Sequence, residues 1–156
     1  MSPHFDEMRE IAETYCRLIE DATEINSEWL REMAVLLPQL HAAISALGKP
    51  KTLKSHTLMP DMDARFEMYA KLHRLLGERD GYWMEFDVVH ESQTMSGSLA
   101  DDLTDIYCEL KQGLKILEEE PKRVLQDWIT GYNVHWGQHL IDAERHLYTL
   151  GARNSI

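Results

Sequence analysis

The sequence predicts an all-α fold, an antiparallel bundle of four to five helices in one domain over residues 1–156. Three features predict it. Apolar residues recur every three or four positions through most of the chain, which is the period of an amphipathic helix. Capping residues, glycines and prolines separate these segments. No segment alternates apolar and polar residues like a strand over more than a few positions.

The first two helices are predicted from their capping residues and apolar periodicity. Ser2 caps the first helix, whose apolar pattern continues to about Ile25. Asn26 caps the second helix, and Gly48 ends it. Residues 49–60 are then expected to form a loop.

The third helix is predicted to begin after Asp61 and to end at Gly77. The residues expected to face inward are Phe66, Tyr69, Leu72, His73 and Leu76. The following segment, from Glu78 to Gly97, is the least regular part of the chain. Its turn residues and scattered aromatics indicate a packed loop with one short helical turn.

Two long helices complete the predicted bundle. Ser98 and Asp101 form a capping box that opens the fourth helix. Pro121 opens the fifth and longest helix, which is expected to run without interruption to about Leu150. Because the turn between them is short, these two helices should be antiparallel neighbours.

Each of the last two helices carries a polar stripe beside its apolar seam. The stripes consist of Asp102, Asp105 and Glu109 on the fourth helix and of His135, His139 and Asp142 on the fifth. Helical spacing places both stripes on the same side of the helix pair. Folding about the turn sets Glu109 opposite His135, Asp105 opposite His139, and Asp102 opposite Asp142. We therefore predict that acids and imidazoles meet in one groove.

The groove has two interpretations. Carboxylates and imidazoles projecting from facing helices are how bundles hold divalent iron, manganese or zinc, so all six stripe residues are candidate metal ligands. The repeated Glu-x-x-His motif of di-iron bundles is absent from the sequence. In the alternative interpretation the groove is a buried polar layer, in which each carboxylate accepts a hydrogen bond from one imidazole.

Charge restricts the partners that the chain is expected to bind. Sixteen basic and 27 acidic residues give a formal net charge of -11. Such a surface repels nucleic acid and anionic membranes and favours a metal cation or a basic protein as partner. In the alternative interpretation, the negative charge only keeps a small protein soluble. No export signal or membrane-spanning apolar run is visible, so a cytoplasmic location is expected. The two cysteines, Cys16 and Cys108, are expected to be reduced, buried thiols.

The polar stripes also carry a resemblance to a known family. The runs Ser98–Tyr107 and His135–His139, the latter with Asp142, together with Tyr82 and Trp83, resemble the uncharacterised bacterial family of unknown function DUF5063. The sequence departs from the family where His41 replaces an aromatic residue and where the expected proline after Asp87 is missing. The resemblance implies a helical fold and brings no activity, substrate or cofactor.

Three functions remain open at this point. The first is a non-enzymatic interaction module that binds a protein partner, as inhibitors and immunity proteins do. The second is a divalent-metal-binding bundle. The third is an enzyme that uses Asp105 with His139, or Glu109 with His135, as acid and base. The third has the least support, because it lacks an identifiable nucleophile. The interaction module is therefore the preferred prediction, and the metal-binding bundle is its alternative. The sequence does not indicate an oligomeric state.

Overall fold

The structure, a computed structural model, describes residues 2–50, 61–87 and 93–153. Its helices are α1 (Pro3–Glu20), α2 (Ser27–Ala46), α3 (Met62–Leu76), α4 (Leu99–Ile116), α5 (Pro121–Gly131) and α6 (Gly137–Ala152). A 3₁₀ turn (Gly77–Arg79) and a hairpin of two strands, β1 (Gly81–Asp87) and β2 (Gln93–Ser98), lie between α3 and α4. A π-helical turn (Tyr132–Trp136) joins α5 to α6. The predicted helical bundle is confirmed. None of the described helices is both long and apolar enough to cross a lipid bilayer.

Four predicted helix starts are confirmed by their side-chain caps. Ser2 accepts a hydrogen bond from the backbone N–H of Phe5, and Asn26 accepts one from Trp29. Asp61 caps α3 and Ser98 caps α4 in the same way. Each cap satisfies a backbone donor that the first helical turn leaves without a partner, which fixes where the helix begins.

The first helix ends earlier than predicted, at Glu20 instead of near Ile25. The side chain of Lys71 donates hydrogen bonds to the carbonyl oxygens of Ile19, at 3.1 Å, and Glu20, at 3.0 Å. These bonds satisfy terminal carbonyls that a longer helix would have used itself. Ala22 and Ile25 are buried all the same, in the connection that leads to α2.

The helix α4 is the centre of the bundle, because it contacts α1, α3, α5 and α6. The largest fully buried side chains around it include Trp128, Trp136, Tyr15 and Met8. The hydroxyl of Tyr15 donates a 2.7 Å hydrogen bond to the backbone oxygen of Leu103, so even this buried polar group is satisfied.

The prediction of a packed loop over Glu78 to Gly97 is wrong, apart from the short helical turn. The strands β1 and β2 pair antiparallel, with Tyr82 opposite Gly97 and Trp83 opposite Ser96. β1 contains three aromatic residues that favour strands, but β2 is polar and shows no alternation. A two-stranded hairpin with one irregular partner therefore leaves no periodic signal in the sequence.

The hairpin is fastened to the bundle through Asp80, which is 3% exposed. The Asp80 carboxylate accepts hydrogen bonds from the Ser98 hydroxyl, at 2.8 Å, and from the backbone N–H of Ala100, at 2.6 Å. Its backbone oxygen accepts a third from Leu99 N–H at 2.9 Å. The residue that precedes β1 thus holds the start of α4, so both ends of the hairpin meet at one point.

The prediction of one continuous fifth helix is also wrong. The π-helical turn interrupts it, and the N–H of Gly137 bonds to the carbonyl oxygen of Tyr132, five residues earlier. A Cβ atom at position 137 would lie only 2.4 Å from that oxygen. The turn therefore requires glycine at this position, for reasons of space.

The predicted inward face of α3 is only partly correct. Leu72 and Leu76 are buried, but Phe66 is 66% exposed and His73 is exposed as well. Because α3 packs mainly against α4, one narrow stripe of its surface is covered. The predicted loop over 49–60 lies outside the described residues beyond position 50.

Candidate functional site

Two histidines of the C-terminal helices each contact a buried carboxylate of α4. His135 Nδ1 lies 2.9 Å from Glu109 Oε1, and His139 Nδ1 lies 2.8 Å from Asp102 Oδ1. The carboxylate side chains are only 2% and 5% exposed. Because the later histidine meets the earlier acid, α4 and α6 run antiparallel. The predicted meeting of acids and imidazoles in one groove is therefore observed.

His139 lies between two carboxylates. Its second ring nitrogen, Nε2, is 3.1 Å from Asp105 Oδ2, which is the contact that the sequence register predicts. Burial disfavours the charged imidazolium, but the hydrogen bonds to Asp102 and Asp105 outweigh burial and raise the pKa of His139 to about 10. Without a bound cation, this imidazole carries a positive charge at neutral pH.

Arg65, in the first turn of α3, holds the outer side of the groove. Its Nε donates to Asp105 Oδ1 at 2.9 Å, and its Nη2 donates to Asp101 Oδ1 at 2.8 Å. Burial opposes ionisation of Asp105, yet the hydrogen bonds from His139 and Arg65 lower the pKa of its carboxyl group. Sequence reasoning missed Arg65 and Asp101, because nothing in the pattern of α3 indicates which of its charged residues faces α4.

The hairpin contributes Tyr82, whose hydroxyl donates a short hydrogen bond to Asp102 Oδ2. Both oxygens of Asp102 are thus occupied, one by His139 and one by Tyr82. Burial raises the pKa of Tyr82, and the hydrogen bond to Asp102 raises it further, so the phenol stays protonated and remains a donor. The ring of Tyr82 also lies against His146, with centroids 4.8 Å apart.

Asp142 does not join the groove in the way the register predicts. It is 6% exposed and accepts hydrogen bonds from two residues of its own helix, Gln138 at 3.1 Å and Arg145 at 2.8 Å. No hydrogen bond joins it to Asp102 in the described part of the chain. Burial raises the pKa of the Asp102 carboxyl, and the negative charge of Asp142 adds to that increase. Two carboxylates facing each other repel, so Asp142 finds cationic and amide partners instead.

Three of the predicted ligands come close enough to share one ion. One ligand-capable atom from each of Asp105, His135 and His139 lies within 4.8 Å of the others. The two imidazole rings are 5.2 Å apart and nearly perpendicular, at 79°. A second such group consists of Asp101, Asp102 and His139. Of the six predicted ligands, Glu109 and Asp142 belong to neither group.

The chemistry open to this groove follows from the atoms that remain available. In both histidines Nδ1 is occupied by a carboxylate, so Nε2 is the atom that each can offer to a cation or a proton. Asp105 directs one oxygen to Arg65 and the other to His139. The groove can therefore hold either a shared cation or an imidazolium between two acids.

Comparisons with known proteins identify the family and the fold. The family described as "Domain of unknown function (DUF5063)" matches residues 1–153. The crystal structure of protein BF1032 from Bacteroides fragilis is similar, with a TM-score of 0.75 and 20% identity over 96% of this chain and 92% of that chain. An identity this low shows a shared fold alone. No curated protein matches the chain. With the match extending over nearly its whole length, the chain belongs to the DUF5063 family.

Proposed function

We propose that the protein binds one divalent transition-metal ion, through an oxygen of Asp105 and the Nε2 atoms of His135 and His139. The observation that carries the proposal is the orientation of the two imidazoles. Each directs Nδ1 to a buried carboxylate, Glu109 or Asp102, so Nε2 is the ring nitrogen left to bind an ion. Histidines that bind metals almost always donate their other N–H to such a partner, which fixes the tautomer and the ring orientation.

The distances support the same assignment. The 3.1 Å between His139 Nε2 and Asp105 Oδ2 is close to the spacing of about 3 Å expected for two ligands of one ion with bonds of about 2.1 Å. His135 is 38% exposed at its side chain, so a small shift of the ring can bring Nε2 closer to the ion while Nδ1 stays bonded to Glu109. An ion would draw the three ligand atoms together from their present spread of up to 4.8 Å.

The ligand set favours iron, manganese or zinc. Two imidazoles and one carboxylate suit these ions, and three protein ligands leave further coordination positions for water or another small ligand. Asp102 and Glu109 would orient the imidazoles, and Arg65 would orient the carboxylate of Asp105. In the competing interpretation the same residues form a polar layer, with protonated His139 held between Asp102 and Asp105.

The two interpretations are separated by Co²⁺ titration of protein purified without a histidine tag and treated with chelator. Metal binding predicts one equivalent of Co²⁺ with visible d–d absorption bands, and loss of these bands in His135→Gln. His41→Gln is the matched control, because His41 also pairs with a carboxylate, Glu144, at 3.1 Å. Absence of binding in the native protein, or equal loss in both variants, would overturn the proposal. Circular dichroism confirms that each variant is folded.

A second candidate function, binding of a protein partner, is favoured by the apolar surface of α2 and α6. Tyr148 is 76% exposed. Tyr148 lies beside a groove of about 490 Å³ lined mainly by apolar residues, including Pro38 and Leu147. Large exposed apolar side chains beside such grooves are typical of binding surfaces. The net charge of -11 would attract a basic partner.

Site-specific photo-crosslinking tests this second function. A crosslinker at position 148 in the native host should capture one protein, and the yield should fall steeply with salt if the partner is basic. A crosslinker at Lys122, exposed on α5, is the control. Equal products from both positions would contradict a specific surface on α2 and α6.

A further inference from the structure

A second cleft lies beside the hairpin, next to the acid and imidazole groove, and Tyr82 and Asp142 are among the residues that line it. It has a volume of about 510 Å³, within the range of about 300–1,000 Å³ typical of small-molecule sites. Its walls are the 3₁₀ turn, the start of β1 and the C-terminal half of α6. We name it the arginine cleft, and the residues that line it include Arg79, Trp83, Arg145, Leu150 and Arg153.

The charge of this cleft is opposite to that of the chain as a whole. Three arginines line it against two carboxylates, Glu78 and Asp142, although the net charge of the protein is -11. Arg145 is paired with Asp142 at 2.8 Å. Within the described residues Arg153 has no carboxylate partner. A local excess of guanidinium groups attracts an anionic ligand and offers it hydrogen-bond donors, even on an acidic protein.

Arg79 adds a positive charge that no carboxylate among the described residues neutralises. Its Nε and Nη2 donate only to backbone oxygens, those of Leu76 at 3.2 Å, Leu75 at 3.3 Å and Ile25 at 2.5 Å. Carbonyl groups fix the side chain in place but carry no net charge. In the described part of the chain its Nη1 has no acceptor, so one donor group remains for a ligand.

The cleft also has an apolar part. Trp83 lines it and is 76% exposed, an unusual degree for a tryptophan, and Leu150 lies on the α6 side. Exposed aromatic surface next to guanidinium groups suits a molecule that is apolar at one end and negatively charged at the other.

We propose that the arginine cleft binds a small organic anion. Its carboxylate or phosphate group contacts Arg145 and Arg153, and its apolar part contacts Trp83 and Leu150. The proposal is independent of metal binding, because none of these residues belongs to the groove of Asp105, His135 and His139.

Titrations followed by two-dimensional amide NMR test the proposal, with four probes of known chemistry. Phenyl phosphate and phenylacetate carry both halves of the ligand, and they distinguish a phosphate from a carboxylate. Inorganic phosphate lacks the apolar part and phenol lacks the charge. For ligands of about ten non-hydrogen atoms a Kd on the order of 1 mM is expected. Phenyl phosphate, phenylacetate or both should bind with a Kd of this order and shift amide signals of β1 and α6. Inorganic phosphate and phenol should bind at least about tenfold more weakly.

The variants are Arg145→Gln combined with Arg153→Gln, and Trp83→Ala. Each should weaken binding about tenfold or more. Arg123→Gln is the matched control, because Arg123 is 57% exposed, as Arg145 is 56% exposed, and it is also paired with carboxylates. The proposal is overturned if neither two-part probe binds at 20 mM, if inorganic phosphate binds as well as phenyl phosphate, or if only one of the two variants weakens binding.

Discussion

Replacing Gly137 with alanine should destabilise the protein, which is the opposite of the usual effect inside a helix. Alanine normally gains about 1 kcal/mol over glycine at an internal helical position. Here the added Cβ would lie 2.4 Å from the carbonyl oxygen of Tyr132, where ordinary contact begins at 3.4 Å. Because the contacting atom belongs to the backbone and not to a flexible side chain, the helix itself must move by about 1 Å to relieve the contact.

Relief of such a contact costs about 1–3 kcal/mol in a packed interior. Because the clash is with backbone, we expect the upper end of that range, and a net loss of about 2 kcal/mol after the helical gain of alanine is included. For a chain of this length the loss corresponds to a decrease of about 4–8 °C in Tm. Urea and thermal unfolding followed by circular dichroism measure both quantities.

Gly151→Ala provides the comparison, because Gly151 is exposed near the end of the same helix. That variant should be unchanged or up to about 1 kcal/mol more stable. If Gly137→Ala proved as stable as the native protein or more stable, the π-helical turn would not depend on the space left by glycine. The reasoning about this turn would then be refuted.

Three further predictions concern the core and the groove. Gly113→Ala should destabilise the protein by about 1–3 kcal/mol, because the added Cβ would lie 2.3 Å from Trp128 Nε1. Urea unfolding tests this prediction, and an unchanged free energy of unfolding would contradict the close packing at Gly113. Glu109→Gln should keep the fold but weaken Co²⁺ binding about 10- to 100-fold, since His135 loses the charged partner of its Nδ1; unchanged affinity would contradict this role. In metal-free protein the pKa of His139, raised to about 10, gives a contribution to stability that is complete below its unfolded value of about 6.5 and is lost as the pH rises through 10. The difference in unfolding free energy between the native protein and His139→Gln should therefore be larger at pH 6 than at pH 10, and a difference that grows with pH would contradict it.

The helical part of the fold was predictable because its signals are local. The caps at Ser2, Asn26, Asp61 and Ser98 each act over three residues, and the apolar period identifies the buried face of a helix that is covered on several sides. The same period failed for α3, where Phe66 is exposed, because a sequence does not show how much of a helix its neighbours cover.

The groove was predictable for a related reason. A short turn between two amphipathic helices fixes their register, so the contacts of His135 with Glu109 and of His139 with Asp105 follow from counting residues. Arg65 and Tyr82 come from distant segments, and no local pattern indicates where their side chains end. The π-helical turn was missed because it differs from an α-helix only in hydrogen bonds that span five residues instead of four, which apolar periodicity over so short a segment cannot resolve.

The attachment of the hairpin at Asp80 has a consequence for how this family can diversify. Hydrogen bonds to that residue hold both ends of the hairpin together, so the hairpin is a closed loop on the bundle. Doubling the length of such a loop raises the free energy of loop closure by only about 0.6 kcal/mol. Additions between the two strands would lengthen the hairpin beyond Trp83 and leave the helices in register. Natural selection can therefore change the length of this hairpin while the packing of the helices stays the same.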